Sequence, residues 1–170
     1  MKKGIFTFFM IMLVSMVSAQ QEKPCMAAEC RQFDFWLGEW DLTWIDKNGN
    51  EQKGHNSITS ILDGCVVQER FDGNPGMDFK GMSLSVYNKH SGKWQQTWVD
   101  NAGGYMVFTG EFSAGAMVLA REIERNGQKI VQRMHFYDIT SDSLKWDWEI
   151  SKDNGESWQL NWRIFYRRAM

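Results

Sequence analysis

Basic runs, metal-ligand spacings and a second long apolar segment are all missing from this 170-residue chain. Each absence closes off a class of function. Lys and Arg number 19 against 21 Asp and Glu, for a formal charge of −2, and no basic cluster stands out. Nucleic acid is therefore a poor partner. His55, His90 and His135 are scattered, and no Cys-x-x-Cys or His-x-x-x-His pair exists, so no protein-built metal site is expected. Nothing resembles a nucleophile-plus-base spacing, a phosphate-cradling glycine loop or a dinucleotide fingerprint, which removes support for hydrolase, kinase or dehydrogenase chemistry.

Beyond residue 19 no segment is apolar for long enough to span a membrane as a helix, so no membrane anchor is expected. The apolar run Ile5 to Val17 follows Lys2 and Lys3 and ends at Val17-Ser18-Ala19, the pattern of a secretory signal cleaved near Ala19. The expectation is a secreted or periplasmic protein with a single domain over 20–170. Cysteine is scarce as well. With three in an oxidising compartment, Cys25 and Cys30 are close enough to staple the N-terminal segment, leaving Cys65 as a buried thiol.

What is present is strand and turn. After a short helical turn at Asp34 to Leu37, ten segments alternate with turn clusters: about 39–45, 52–62, 65–71, 80–88, 93–100, 105–111, 116–124, 128–139, 144–150 and 157–168. Asn-Gly and Asp-Gly pairs supply the positive φ angles that tight hairpins need. A meander this long closes into an up-and-down barrel, because closure removes the exposed edges. Phe71 to Phe79 is expected to form a mobile flap at the barrel mouth.

Side chains alternate between faces of a strand, so Trp94, Gln96, Trp98 and Asp100 point the same way. Two indoles with an amide and a carboxylate suit neither plain core nor plain solvent, but they do suit a ligand cavity. In the last hairpin, Leu144, Trp146, Trp148 and Ile150 face Trp158, Leu160, Trp162 and Ile164, which makes the tryptophan face the interior. Carried backwards through the turns without bulges, that face takes in Arg133 and His135, then Val118, Ala120 and Glu122, then Tyr105, Val107 and Thr109. It ends at Trp94 to Asp100, with Ser83, Ser85 and Tyr87 opposite. Asp100, Glu122 and Arg133 then share a belt, either as an internal ion-pair network or with Arg133 receiving an anionic or carbonyl group.

The same register turns Met82, Leu84, Val86, Met106, Phe108, Met117, Leu119, Met134 and Phe136 outward. So broad a methionine-rich patch calls for a cover, and a homodimer through this face is expected.

Several motifs carry resemblances. Gly38-Glu39-Trp40 opens the first strand, and Arg163, Arg167 and Arg168 lie on the last. This resembles the Gly-x-Trp signature of lipocalin-like (calycin) barrels, which implies that a basic residue of the closing strand packs over Trp40. Ser151-Lys-Asp153-Asn-Gly155-Glu-Ser-Trp158 resembles the Asp-box of sialidases, read here as a hairpin turn. Phe33 to Asp41, Gly81 to Tyr87, Trp94 to Asp100 and the Asp-Gly-Trp ending together resemble a family of secreted bacterial proteins of unknown function. That resemblance implies a lipocalin-like barrel and brings no catalytic residues. His135 reads as a satisfied core histidine. A haem ligand, as in the similar nitrobindin-like barrels, is the alternative, though the closing strand has no histidine and no cofactor is expected.

The function expected from the sequence is binding of a small amphipathic molecule in the barrel. Tyr87, Trp94, Trp98 and Trp148 would give area, and Gln96, Asp100, Glu122, Arg133 and His135 orientation. The alternatives are a barrel enzyme of isomerase, hydratase or cyclase type using Asp100, Glu122 or His135, and a filled barrel serving as an interaction protein.

Overall fold

The computed structural model describes residues 25–169; the signal segment expected at 1–19 lies outside them. Ten strands run in chain order: β1 (Gly38–Ile45), β2 (Glu51–Ile61), β3 (Val66–Asp72), β4 (Lys80–Asn88), β5 (Lys93–Asp100), β6 (Tyr105–Ser113), β7 (Ala116–Arg125), β8 (Gln128–Tyr137), β9 (Ser143–Ser151) and β10 (Gln159–Arg168). Each pairs antiparallel with its neighbours, and β1 pairs with β10 to close the barrel. No edge is left among them, as the meander requires.

One end is corked. Two short 3-10 turns, Ala28–Arg31 and Asp34–Trp36, precede β1 and carry Phe33 and Trp36 into the barrel end, where both are fully buried. The Phe33 ring meets Trp94 edge-on at 4.9 Å and Phe136 at 5.6 Å. Burying an indole or phenyl ring this completely removes roughly 150–250 Å² from water, a contribution of several kcal/mol before the entropy of ordering. Gly38 takes a φ of +118° to turn the chain from the cork into β1. Arg168 lies 3.7 Å over the Trp40 ring, donates to the Leu37 carbonyl, and donates from Nη2 to the Phe35 carbonyl at 3.1 Å. The closing-strand cation over Trp40 therefore holds the cork as well as the seam.

The disulfide differs from the expected pairing. Cys25 bonds Cys65, 40 residues along, and Cys30 is the buried free thiol. The first 3-10 turn points Cys30 into the core, whereas Cys25 lies outside that turn beside the end of β2–β3. Closing a 40-residue loop stabilises on the order of 4 kcal/mol in the chain-entropy picture, more than the short Cys25–Cys30 loop could.

The register of the middle strands also differs. The hairpin pairings themselves hold, with Val118 opposite His135 and Thr109 opposite Ala120, but all four face outward. The inversion enters at the β8–β9 connection. Asp138 takes a φ of +50° and ends β8 early, so Phe136 pairs with Trp146 and Met134 with Trp148. A second parity change in the β5–β6 connection, where Trp98 pairs with Met106, cancels the first. β5 and β4 therefore face as expected, with Ser83, Ser85, Trp94 and Gln96 buried inside. A bulge between Leu160 and Trp162 leaves Leu160 exposed.

Consequently six of the nine residues expected on the outward patch point inward: Met106, Phe108, Met117, Leu119, Met134 and Phe136. Only Met82, Leu84 and Val86 remain outside, in a smaller strip with Val99, Tyr105 and Val107.

Candidate functional site

Above the cork the barrel is hollow. A cavity of about 300 Å³ lies between Trp36 on the floor and Trp98, Trp146, Trp148, Trp162 and Phe79 around the wall. Phe71, Met106, Phe108, Met134, Phe136 and Ile164 complete the apolar lining. The rings brace one another. Trp146 and Trp148 stack at 6.4 Å with 13° between planes, and Trp162 meets Trp146 edge-on at 5.7 Å. Phe79 stacks on Trp98 at 6.2 Å. Its loop is tied down by Gly73 N–H donating to the Phe79 carbonyl at 2.8 Å and Gly76 N–H to the Lys53 carbonyl at 2.9 Å. A Cβ at Gly81 would collide with the Trp98 ring, so a glycine there lets the indole lie against the wall.

Four polar side chains reach this cavity, in two groups. Deep inside, Glu69 is 6 % exposed between Val67 and Phe71 on the inner face of β3. Its carboxyl accepts from Asn56 Nδ2 at 2.8 Å and Ser83 Oγ at 2.7 Å, and Asn56 also donates to the Tyr166 hydroxyl at 3.1 Å. No cation pairs with Glu69 among the described residues. Burial pushes its carboxyl up to about 7, against the pull of the two hydrogen bonds. Tyr166 is raised as well, by burial first and by the Glu69 charge second. Beside them the Trp36 Nε1–H and the Asn56 Oδ1 are buried without a hydrogen-bond partner.

The second group is Arg121 and Gln132, half-buried on β7 and β8. Arg121 Nε donates to Gln132 Oε1 at 2.8 Å, and the guanidinium lies 5.4 Å from the Phe108 ring centre. Burial alone lowers its proton affinity. Trp98, Trp148 and Trp162 share its half-buried state, whereas Trp36, Phe108 and Tyr166 are sealed. The cavity thus opens toward the Arg121 side and closes toward Glu69.

Of the site residues expected from sequence, Trp98 and Trp148 line the cavity. Trp94 and Tyr87 belong to the packing around the cork, Trp94 donating to Gln32 Oε1 at 3.0 Å. Gln96 is buried and donates to Ser85 at 2.8 Å, outside the cavity lining. Asp100 closes the β5–β6 loop, accepting from Trp98 Nε1 at 3.0 Å and Gly104 N–H at 2.8 Å, which hold its carboxyl below the ordinary value. Glu122 is on the outer surface, paired with Lys129 at 2.7 Å.

Arg133 and His135 are also outside, a correction that follows from the inverted register. Arg133 pairs with Glu149 at 2.7 Å and lies 3.7 Å over the Trp158 ring. His135 stacks on Tyr137 at 4.8 Å, and burial followed by the Arg133 charge depresses its proton affinity. Facing outward, His135 is neither a core histidine nor able to carry a haem inside the barrel. Arg163, on the same outer face, grips Asp147 through two nitrogens at 2.7 and 2.6 Å. The Asp-box turn forms as expected. Asp153 accepts from Ser151 and Ser157, Gly155 takes a φ of +94°, and Trp158 Nε1 donates to the Gly155 carbonyl at 3.1 Å.

Glu69, Arg121 and Gln132 were missed. The signal for Glu69 was a lone acid in the alternating run Val67-x-Glu69-x-Phe71, and for Arg121 a cation continuing the inner row Met117, Leu119. Among the described residues no cluster of three metal-ligating side chains occurs.

A closed ten-stranded antiparallel meander with a corked end and an aromatic cavity defines the class of protein. Residues 27–168 match the model of the family described as "Protein of unknown function (DUF1579)", and the chain belongs to that family. A search of curated proteins gives no match. Among solved structures the chain is similar to a redesigned β-barrel at 10 % identity and a TM-score of 0.45, covering 85 % of this chain and 100 % of that one, a likeness too low to argue from.

Proposed function

We propose that the protein binds a small amphipathic molecule inside the barrel, as a secreted or periplasmic carrier or receptor. The aromatic cavity of about 300 Å³ carries this reading, because a barrel serving only as a scaffold would fill that space with side chains. The Cys25–Cys65 bond suits an oxidising compartment. The Trp36 Nε1–H, on the cavity floor, supplies a donor for a ligand oxygen at the closed end. Titration with N-phenyl-1-naphthylamine tests the reading. Saturable one-to-one quenching of tryptophan fluorescence is expected, with affinity reduced at least about tenfold in a folded Trp148→Ala variant. Absence of saturable binding, or binding indifferent to Trp148, overturns it.

One observation favours a second reading, acid–base catalysis on the bound molecule. Glu69 sits in the cavity with its carboxyl raised to about 7, the range a general acid or base needs. The catalytic group would then be Glu69, rather than Asp100, Glu122 or His135. Turnover of a bound carbonyl compound that disappears in a folded Glu69→Gln variant is the outcome this reading requires.

A further inference from the structure

We infer that the ligand of this cavity is a flat organic anion, its acidic group held by the Arg121 guanidinium. The inference rests on the binding function proposed above and narrows it to a chemical class. Three observations carry it. First, Arg121 faces the cavity and makes no ion pair among the described residues, while every other arginine with a resolved carboxylate contact lies outside the barrel. Its single hydrogen bond, from Nε to Gln132, fixes the plane of the guanidinium and leaves both terminal nitrogens without a protein acceptor. A fork held in one plane is the donor geometry that takes a carboxylate or sulfonate through two bonds.

Second, the charge in the cavity is unbalanced. The other ionisable groups that line it are Glu69 and Tyr166, both pushed toward their neutral forms, and the groups packed on Glu69 are Asn56, Ser83 and Tyr166, none of them a cation. Below neutrality the cavity therefore carries a net positive charge in a partly dry, aromatic setting, which attracts an anion and repels a cation. Third, the wall beside Arg121 is aromatic, with Phe108 5.4 Å beneath the guanidinium and Trp148 meeting Phe108 edge-on at 5.8 Å. A conjugated or aromatic body fits against it, so the acid and the flat body belong to one molecule.

The test is an isosteric pair differing only in charge, 2-naphthoate and 2-naphthamide, titrated calorimetrically at pH 6. The expected result is at least about tenfold tighter binding of naphthoate, the gain of a charge-assisted hydrogen bond in a sheltered site. Arg121→Met should bring naphthoate down to the naphthamide level, and Arg121→Lys should keep part of the preference. Arg125→Met, at the exposed end of β7, should keep all of it. Circular dichroism confirms that each variant folds. Equal affinity for the two ligands, or a preference that survives in Arg121→Met, overturns the anion assignment and leaves the binding function standing. If neither naphthalene ligand nor N-phenyl-1-naphthylamine binds, both fall.

Discussion

The two faces of the barrel wall treat charge in opposite ways. Outside, on β8 to β10, charges are matched in a ladder: Arg133 with Glu149, and Arg163 with Asp147, which also accepts from the Tyr137 hydroxyl at 3.2 Å. Inside, Glu69 has only neutral donors and Arg121 only a neutral acceptor. The ladder lowers the free energy of the fold, because each desolvated charge meets its opposite. The inner charges raise it, and an unmatched charge kept inside a barrel is what a binding site costs in stability. Stability and function are therefore carried on opposite sides of the same strands.

Substitutions can break or sharpen that contrast. The largest effect is expected at Glu69. Its folded proton affinity is raised to about 7 from an ordinary value of 4.5, so the folded state holds a proton the unfolded state has lost. Stability is then fully present below about pH 4.5, declines as pH rises, and levels off above about pH 7, for a total near 3 kcal/mol. Urea titrations from pH 5 to pH 8 should show this slope in the native protein and its disappearance in Glu69→Gln, which should be the more stable of the two at pH 8. A flat native profile would mean that Glu69 is matched after all.

Next in size is the outer ladder. Arg163→Met leaves the 3 % exposed Asp147 with only the Tyr137 hydroxyl, and a loss of about 2 kcal/mol is expected. Half-exposure of Arg163 keeps the loss below that of a fully buried pair. Guanidinium denaturation at pH 7 measures it, and an unchanged midpoint would dissolve the contrast from the outside. The smallest effect belongs to Arg121. Replacing it by Met should change stability by no more than about 0.5 kcal/mol, since no charged partner is stranded. A loss comparable to that of Arg163→Met would mark Arg121 as structural.

The barrel is legible in the sequence because turn pairs and alternating strands recur along almost all of residues 38–168. Trp98 is legible as an inward residue, since Ser83 opposite it leaves room for the ring, and Trp94 follows by alternation. The site was less legible, and two loops explain why. Parity in a meander is inherited from strand to strand, and it changes wherever a connection gains or loses a residue. Asp138 in the left-handed region does this before β9, and the Asp100-capped loop does it again before β6. Neither residue announces its conformation in the sequence. Unbroken alternation thus puts Arg133 and His135 inside although they belong to the outer face, and leaves Arg121 and Glu69 out of the site. The disulfide differs for a related reason: proximity in sequence is a weak guide once a 3-10 turn has pointed Cys30 into the core.

The cork has a consequence for how such a barrel changes its ligand. Its floor residue, Trp36, comes from a segment ahead of β1 and not from any strand, and that segment is anchored by Arg168 at one point and by the Cys25–Cys65 bond at another. Depth and girth of the chamber are therefore under separate control. A smaller side chain at position 36 is expected to deepen the chamber, whereas its girth is set by the strand residues Trp98, Trp146, Trp148 and Trp162.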